Sequence, residues 1–307
     1  MQRTDFVDLR FMHRPLLVVT TAALLSSSAH AITIEFDYTY GGGFFTDTHR
    51  AILGNIATEF GSRITDSLAA LNSSGANDFR PSVSLASNGS VEFGTTQSLD
   101  ADTLRIFVGA VAQSGNTLAI GGAGGYAPVP TAFSELIAKR GQPETQIENF
   151  STWGGNILFN SDTPWYVDTD VSTVESFSGL FDFYSVALHE VGHVLGIGTS
   201  AAWNHDVSGS VFTGAAAKAL NNGNDVPLAG SGPDSGHLAK SVQSTFMGGL
   251  QEAALTPSIS AGTRKYFTDM DWALLQDVGW QVAAVPEAET WVMMLAGLGL
   301  LGWHTRR

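Results

Sequence analysis

One segment, residues 182–198, constrains this chain more than any other, because two histidines and a glutamate stand in a nearly uncharged stretch. His189, Glu190 and His193 have the spacing His-Glu-x-x-His. On a helix, positions i and i+4 lie one turn apart on the same face, so both imidazoles can reach one zinc ion. Burying these groups in an apolar helix without a metal would be costly. The segment therefore predicts a buried helix with zinc ligands His189 and His193, and Glu190 beside them as a proton acceptor.

The remaining ligand must come from elsewhere in the chain. The sequence has no cysteine, so His, Asp, Glu or backbone oxygen are the available donors. His205 and His237 both follow the helix, and spacing alone leaves both open as the third ligand. His49, at the start of the first predicted helix, is expected at the surface.

Charge and composition restrict the class of partner. The chain has 307 residues, of which 44% are hydrophobic and 14% charged, so it can bury a large core. Its formal net charge of -14 argues against a nucleic-acid partner, which needs a basic face. An acidic surface can attract calcium, so structural Ca²⁺ is a further expectation.

The pattern of apolar residues predicts a mixture of strands and helices. Alternation predicts a half-buried strand over residues 32–40, and spacings of three and four predict a long helix whose apolar stripe runs from Ala51 to Leu71. Further strands are predicted over residues 82–93, 103–111 and 154–159, a Gly-rich edge strand within residues 116–126, and a closing helix over residues 267–280.

Both ends of the chain are typical of targeting segments. Residues 1–31 carry arginines, an apolar run and a small-residue end at Ala31, which predicts a cleaved signal peptide. At the other end, Pro286-Glu287 precedes a short apolar run that ends in Arg306-Arg307. This tail, residues 283–307, resembles the PEP-CTERM sorting signal of Gram-negative bacteria, although Ala288 stands where a second Pro is usual. The resemblance implies export, a short membrane helix with a basic end, transient inner-membrane anchoring, cleavage by an exosortase-type enzyme, and delivery to the cell surface or extracellular matrix.

His189, Glu190, His193 and Gly196 resemble the metzincin clan of zinc endopeptidases, whose motif is His-Glu-x-x-His-x-x-Gly-x-x-His. The eleventh position is Thr199, so the usual third histidine is missing. The resemblance implies an α+β fold over residues 32–282, with a twisted mixed sheet, long helices and a loop-rich C-terminal subdomain.

Two branches of the clan contribute to this resemblance. Residues 154–159 and the approach to the His-Glu-x-x-His helix are similar to matrixins. Leishmanolysin-like members take their third histidine from far downstream, which implies His237 as the third ligand, with His205 as the alternative. Metzincins also place a methionine in a tight turn beneath the zinc, and here Met247 and Leu255 are both candidates for that position.

The expected function follows from these resemblances. They imply a secreted zinc endopeptidase in which Glu190 assists attack of zinc-bound water on a peptide bond of a protein or peptide substrate. The Gly-rich edge, residues 118–125, is expected to bind substrate backbone as an added strand. The alternative is a non-catalytic extracellular matrix or adhesion protein on the same fold, which the sorting tail suggests. Glu190 favours the enzyme, because an inactive descendant has no need to keep it.

Overall fold

The computed structural model describes residues 31–83, 90–173, 175–231 and 235–284, and these form a mixed α and β structure. In chain order the helices and strands are β1 (Thr33–Asp37), α1 (Asp47–Arg63), β2 (Ser82–Val83), β3 (Glu92–Phe93), β4 (Thr103–Val111), β5 (Ala119–Ala123), α2 (Thr131–Lys139), β6 (Gly154–Asn160), β7 (Trp165–Tyr166), β8 (Phe181–Asp182), α3 (Phe183–Val194), α4 (Ala201–His205), β9 (Val207–Ser208), β10 (Val211–Phe212), α5 (Ala215–Leu220), β11 (Val226–Pro227), β12 (Gln243–Phe246), β13 (Gly249–Glu252) and α6 (Asp269–Asp277).

A twisted four-stranded mixed sheet supports the helix that carries the His-Glu-x-x-His motif. Its order is β1-β4-β6-β5; β1, β4 and β6 run parallel, and β5 pairs antiparallel with β6 at the edge. Helix α3 contacts β5 and β6 as well as α1. The α+β class and the mixed sheet predicted from the sequence are therefore confirmed.

The sheet is buried on both faces, and β4 shows why. Successive side chains of a strand point to opposite faces. Ile106 and Val108 belong to the main core with α1 and α3, whereas Phe107 faces a smaller cluster on the opposite side. That smaller cluster consists of Leu71, Phe79, Val83, Leu99, Phe107, Phe133, Ile137 and Trp153. The alternation in the sequence thus placed β4 correctly, with the predicted bounds.

Helix α1 is shorter than its apolar stripe predicted. It ends at Arg63, and Ile64 has extended backbone angles. The next residues bond to other segments: Thr65 N–H donates to the Gln281 carbonyl at 2.8 Å, and Leu68 N–H donates to Asp102 Oδ1 at 2.6 Å. Leu68 and Leu71 are buried all the same, so their spacing reflected core packing rather than a continued helix.

Other predictions also need correction. Residues 82–93 do not form one strand, because their ends are two short antiparallel strands, with Ser82 opposite Phe93. Helix α2 was not among the predicted elements; its buried face consists of Phe133 and Ile137, one helical turn apart. The predicted closing helix corresponds to α6, which the Thr268 side chain caps.

His49 is buried rather than at the surface. It is 9% exposed, and its ring lies edge-on against Phe183, the first residue of α3, at a centroid distance of 4.7 Å. Its Nδ1 and the Thr46 side chain complete a capping box at the start of α1. The prediction of an exposed His49 was wrong, because its ring both caps α1 and packs in an aromatic cluster.

Most of both predicted targeting segments lies outside the residues that the structure describes. Only residue 31 of the signal peptide and residues 283–284 of the sorting tail are described. Among the residues that the structure describes, none forms a helix long and apolar enough to cross a membrane.

Candidate metal centre

Helix α3 carries the motif, and local sequence fixes its two ends. The Asp182 side chain caps the helix by accepting a hydrogen bond from Ser185 N–H at 3.2 Å. The helix ends at Val194, and the chain turns at Gly196, which has a φ of +99°. A side chain at Gly196 would overlap the Phe150 ring, because a Cβ there would lie 2.5 Å from Phe150 Cδ1. The buried helix predicted over this segment is therefore present.

Three histidines converge at the open side of α3. His193 Nε2 lies 3.0 Å from His189 Nε2 and 3.1 Å from His237 Nε2. His193 is buried, while His189 and His237 are half-buried and face a cleft. The structure thus brings together residues separated by 44 positions in sequence, His193 and His237.

The hydrogen bonds of the first two rings determine which nitrogen is available. His189 Nδ1 donates to the Ala254 carbonyl at 2.7 Å, and His193 Nδ1 donates to the Ile197 carbonyl at 2.8 Å. A carbonyl oxygen only accepts, so in each neutral ring Nδ1 carries the hydrogen and Nε2 carries a lone pair. Burial lowers the pKa of both histidines, that of His193 to about 4, which favours the neutral rings.

This arrangement fits a zinc ion. Zinc–nitrogen distances of about 2.0–2.1 Å in a tetrahedral site place two ligand nitrogens about 3.4 Å apart, close to the spacing here. Lone pairs of His189 and His193 that face each other at 3.0 Å repel unless a cation lies between them. Each Nδ1 is held by a backbone carbonyl, which is the usual support of a metal-binding histidine. The donor set therefore fits a metal that prefers imidazole.

Glu190 lies in the same cleft, against the edge strand. Its side chain is almost fully buried, and a Cβ on Gly121 of β5 would lie 2.9 Å from Glu190 Oε2. Burial raises the pKa of Glu190 to about 8, and a hydrogen bond with the Gly121 backbone opposes that rise. A carboxyl group held at this position can accept a proton and release it again.

A turn after β13 supports His189 from the other side of the cleft. Its Ala254 carbonyl accepts the His189 hydrogen bond, while the N–H groups of Ala254 and Leu255 donate to the two oxygens of Asp271, at 2.9 and 3.0 Å. Asp271 is fully buried, and its Oδ2 also accepts from the Thr268 hydroxyl at 2.6 Å. Helix α6 therefore fixes the turn that orients His189.

The same turn distinguishes Leu255 from Met247, the two candidates for the position beneath the metal. Leu255 is fully buried and packs on α3 at Gly192. A Cβ at Gly192 would lie only 3.1 Å from a Leu255 methyl carbon. Met247 lies at the tip of the β12–β13 hairpin and is 93% exposed. Met247 is therefore neither beneath the three histidines nor part of the core, and Leu255 occupies the turn.

His205 is not brought to the site. It lies at the end of α4 with a largely exposed side chain and pairs with Asp206 at 3.1 Å. Within the described ranges, His189, His193 and His237 are the one group of three or more His, Cys, Asp or Glu that could share a metal ion. The expected structural calcium thus has no support in this part of the chain.

A cleft of about 870 Å³ contains the three histidines and Glu190. One wall is formed by residues 116–121, which include the start of β5, and the opposite wall includes Ala254, Thr256 and Pro257. Ile120 of β5 is 59% exposed at this wall. Within the described part of the chain, the edge of β5 that pairs with no other strand borders this cleft.

Lys265 also lines the cleft and stabilises its second wall. Its Nζ donates to Glu252 Oε1 and Thr256 Oγ1, both at 2.7 Å, and to the Ser258 carbonyl at 3.0 Å. Sequence reasoning did not identify Lys265 or Asp271 as parts of the site. The sequence Thr268-x-x-Asp271 was a usable signal for a helix cap, but nothing local indicated the bonds to residues 254–255.

Comparison with known families agrees with this geometry. A matrixin family model matches residues 137–209, and a model of the PEP-CTERM protein-sorting motif matches residues 284–307. No curated protein matched the chain. Both predicted resemblances are confirmed by these matches, which support a zinc metallopeptidase of metzincin fold and indicate export through the exosortase system of Gram-negative bacteria. The matrixin match contains His189, Glu190 and His193 but ends before His237.

Proposed function

We propose that this protein is a secreted zinc endopeptidase that hydrolyses peptide bonds of a protein substrate in the cleft beside α3. The observation that carries the proposal is the convergence of three Nε2 atoms next to a buried glutamate. A histidine that only fills space in a core helix would not be expected to face two other histidine side chains at hydrogen-bond distance. The matrixin match over the same helix supports the peptidase class.

His189, His193 and His237 hold the zinc ion through Nε2. When bound, zinc supplies Lewis-acid activation of water and of the scissile carbonyl. The carbonyls of Ala254 and Ile197 keep the first two rings in the tautomer that leaves Nε2 free to bind.

Glu190 carries the proton through the reaction. In its ionised form, the Glu190 carboxylate takes a proton from the attacking water as the water oxygen bonds to the peptide carbon. As the C–N bond breaks, Glu190 delivers that proton to the leaving nitrogen. Its burial beneath β5 keeps the carboxylate beside the cleft and limits its contact with bulk water.

The substrate binds in extended form along β5. Among the strands that the structure describes, this strand pairs with β6 alone, so its other edge can form main-chain hydrogen bonds with an added strand. Glycine at positions 121 and 122 permits close approach of another backbone. Ile120, exposed over the cleft, then contacts a substrate side chain.

Ile120→Asp tests this binding mode. A charge at an exposed apolar contact should raise KM for a peptide substrate severalfold and leave kcat nearly unchanged, because Glu190 and the histidines are untouched. An unchanged KM would reject β5 as the substrate edge.

The proposal extends to the layout of the chain. A signal peptide over residues 1–31 directs secretion, residues 32–282 form the peptidase domain with a loop-rich C-terminal subdomain, and residues 283–307 form the sorting signal. Anchoring of that tail in the inner membrane is transient, ended by exosortase-type cleavage, and the product reaches the cell surface or matrix. The tail match supports the processing step.

The deciding experiment measures zinc content and casein hydrolysis of the purified protein and three variants. Glu190→Gln should keep zinc and lose about 10²–10⁴-fold in rate, the usual contribution of a general base. His237→Ala should lose zinc. His205 is an exposed histidine in the same region, so His205→Ala should keep both zinc and activity.

Two outcomes would contradict the proposal. Stoichiometric zinc without hydrolysis by the unaltered protein would favour the non-catalytic matrix or adhesion protein. If the purified protein binds no zinc from a solution with micromolar free zinc, the metal centre itself is rejected.

A further inference from the structure

The segment that carries His237 lies directly on the turn that follows α3. Gly198, two residues beyond Gly196, has a φ of +74°. A Cβ at Gly198 would lie 2.3 Å from the Gly236 carbonyl oxygen and 2.9 Å from Gly236 Cα. Because no real Cβ contact is that short, the two backbones can approach this closely only with glycine at position 198. The residue before His237 is thus in backbone contact with the end of the motif segment.

A buried tryptophan fixes the same segment from α4. The Trp203 indole Nε1–H donates to the Ser235 carbonyl at 3.0 Å. The ring is fully buried and stacks on Phe212, with centroids 4.2 Å apart. Its position on α4 is set by the Ser200 cap, whose hydroxyl accepts from Trp203 N–H at 3.0 Å. The backbone two residues before His237 is therefore bound to a rigid group.

The backbone around His237 is also bonded on its other side. Ala229 N–H donates to the His237 carbonyl, and Leu238 N–H donates to the Leu255 carbonyl, both at 2.9 Å. The second bond joins Leu238, the residue after His237, to the turn that orients His189. His237 is thus held between the end of α3 and the Ala254–Leu255 turn.

We propose that Gly198 and Trp203 are positioning residues that place His237 as the third zinc ligand, through the Gly198–Gly236 backbone contact and the Trp203–Ser235 hydrogen bond. Thr199 stands where the metzincin motif would have its own histidine, and its hydroxyl instead donates to the His193 carbonyl at 2.7 Å. The long segment after α3 therefore depends on tertiary contacts to return a histidine to the site. This inference rests on the zinc site of the proposed function.

The test measures zinc affinity of the full-length protein by competition with a chelator. Gly198→Ala and Trp203→Phe should each weaken zinc binding by about 10- to 100-fold, the range for residues that orient a metal ligand. Trp203→Phe keeps an aromatic ring on Phe212, but it removes the donor to Ser235 together with part of the buried ring. Gly209→Ala is the matched control, because Gly209 has a φ of +63° but nothing within 4 Å of its Cβ position, so it carries the strain without the contact.

Double variants separate positioning from general damage to the fold. In a His237→Ala background, Gly198→Ala and Trp203→Phe should cause no further loss of zinc affinity, because the ligand they position is gone. Equal losses in both backgrounds, or an unchanged affinity in Trp203→Phe, would overturn the inference. If Gly198→Ala does not fold, Trp203→Phe decides by itself. The visible spectrum of the cobalt-substituted protein should shift in both single variants and in His237→Ala.

The outcomes distinguish this inference from the function on which it rests. If His237→Ala itself leaves zinc affinity unchanged, the ligand set is wrong and the inference falls with it. If His237→Ala weakens binding while Trp203→Phe does not, only the positioning role is rejected. None of these readouts depends on peptide hydrolysis.

Discussion

Two regions of the molecule build the same site in different ways. The sheet region, residues 33–194, supplies His189, Glu190 and His193 from one helix, so their relative positions follow from helical geometry alone. The C-terminal region, residues 195–284, supplies His237 and the Ala254 carbonyl from separate loops. The first set can be read from spacing in the sequence, whereas the second exists only once the tertiary contacts have formed.

The regions also differ in the size of their structural elements. The sheet region has short strands too, but its β4 has nine residues and its α1 seventeen, whereas the longest strands of the C-terminal region have four residues and its longest helix nine. Short elements bury little apolar surface of their own, so a few specific contacts determine where they lie. Substitutions that remove such contacts should therefore have large effects in this region.

The largest effect on stability is expected at Arg264, whose fully buried ion pair with Asp182 joins the two regions. Arg264 of the C-terminal region donates to both oxygens of Asp182, the cap of α3, at 2.9 and 3.1 Å, and neither side chain is exposed. Arg264→Met leaves the Asp182 carboxylate buried without its charged partner, although the hydrogen bonds from Ser185 remain. We expect the free energy of unfolding, measured in urea, to fall by about 3–5 kcal/mol.

Arg105→Met is the control for this prediction. Arg105 pairs with Glu35 at 2.8 Å, but both side chains are partly exposed. Its loss should cost only about 0–1 kcal/mol, as for other surface ion pairs. Similar losses in both variants would mean that the buried pair does not join the two regions as argued.

The next effect in size concerns activity and lies in the sheet region. Gly121→Ala adds a Cβ that would lie 2.8 Å from the Glu190 carbonyl oxygen and 2.9 Å from Glu190 Oε2, so β5 and Glu190 must shift relative to each other. A displacement of about 1 Å in a catalytic group can cost about 100-fold, and we expect a loss of that order in kcat with zinc content unchanged. Gly122→Ala, whose Cβ would meet nothing within 4 Å, should retain kcat, and any effect on the substrate edge should appear in KM. Equal kcat values for the two variants would show that β5 does not constrain Glu190.

The comparison also explains how much the sequence could predict. The predictions of strand β4 and helix α3 were correct, because apolar alternation and the His-Glu-x-x-His spacing are local properties of the sequence. The stripe of α1 continued to Leu71 because buried residues keep a similar spacing after the helix ends, where the backbone bonds to other segments. The link from Asp271 to the Ala254 turn joins residues far apart along the chain, and no local pattern reports it. His237 was identified through a family resemblance rather than through its spacing.

The smallest effect expected is a pH dependence of stability that belongs to the sheet region. His49 packs against Phe44 and Phe183, and among the described residues its Nε2 is buried with no hydrogen-bond partner. Burial lowers the pKa of His49 from its ordinary value of 6.5. The folded state then binds a proton less readily than the unfolded chain, so the stability from the neutral ring is complete above pH 6.5 and decreases as the pH falls below it.

His49→Gln should reduce this acid sensitivity, because glutamine does not titrate yet can still serve the capping box with Thr46. The free energy of unfolding of the zinc-loaded protein, measured between pH 7 and pH 5, should fall less steeply in the variant. Zinc keeps the three site histidines in the same state in both proteins. His205→Gln, on the exposed end of α4, should leave the slope unchanged. If it flattens the curve as much as His49→Gln does, the acid-sensitive group lies in the C-terminal region instead.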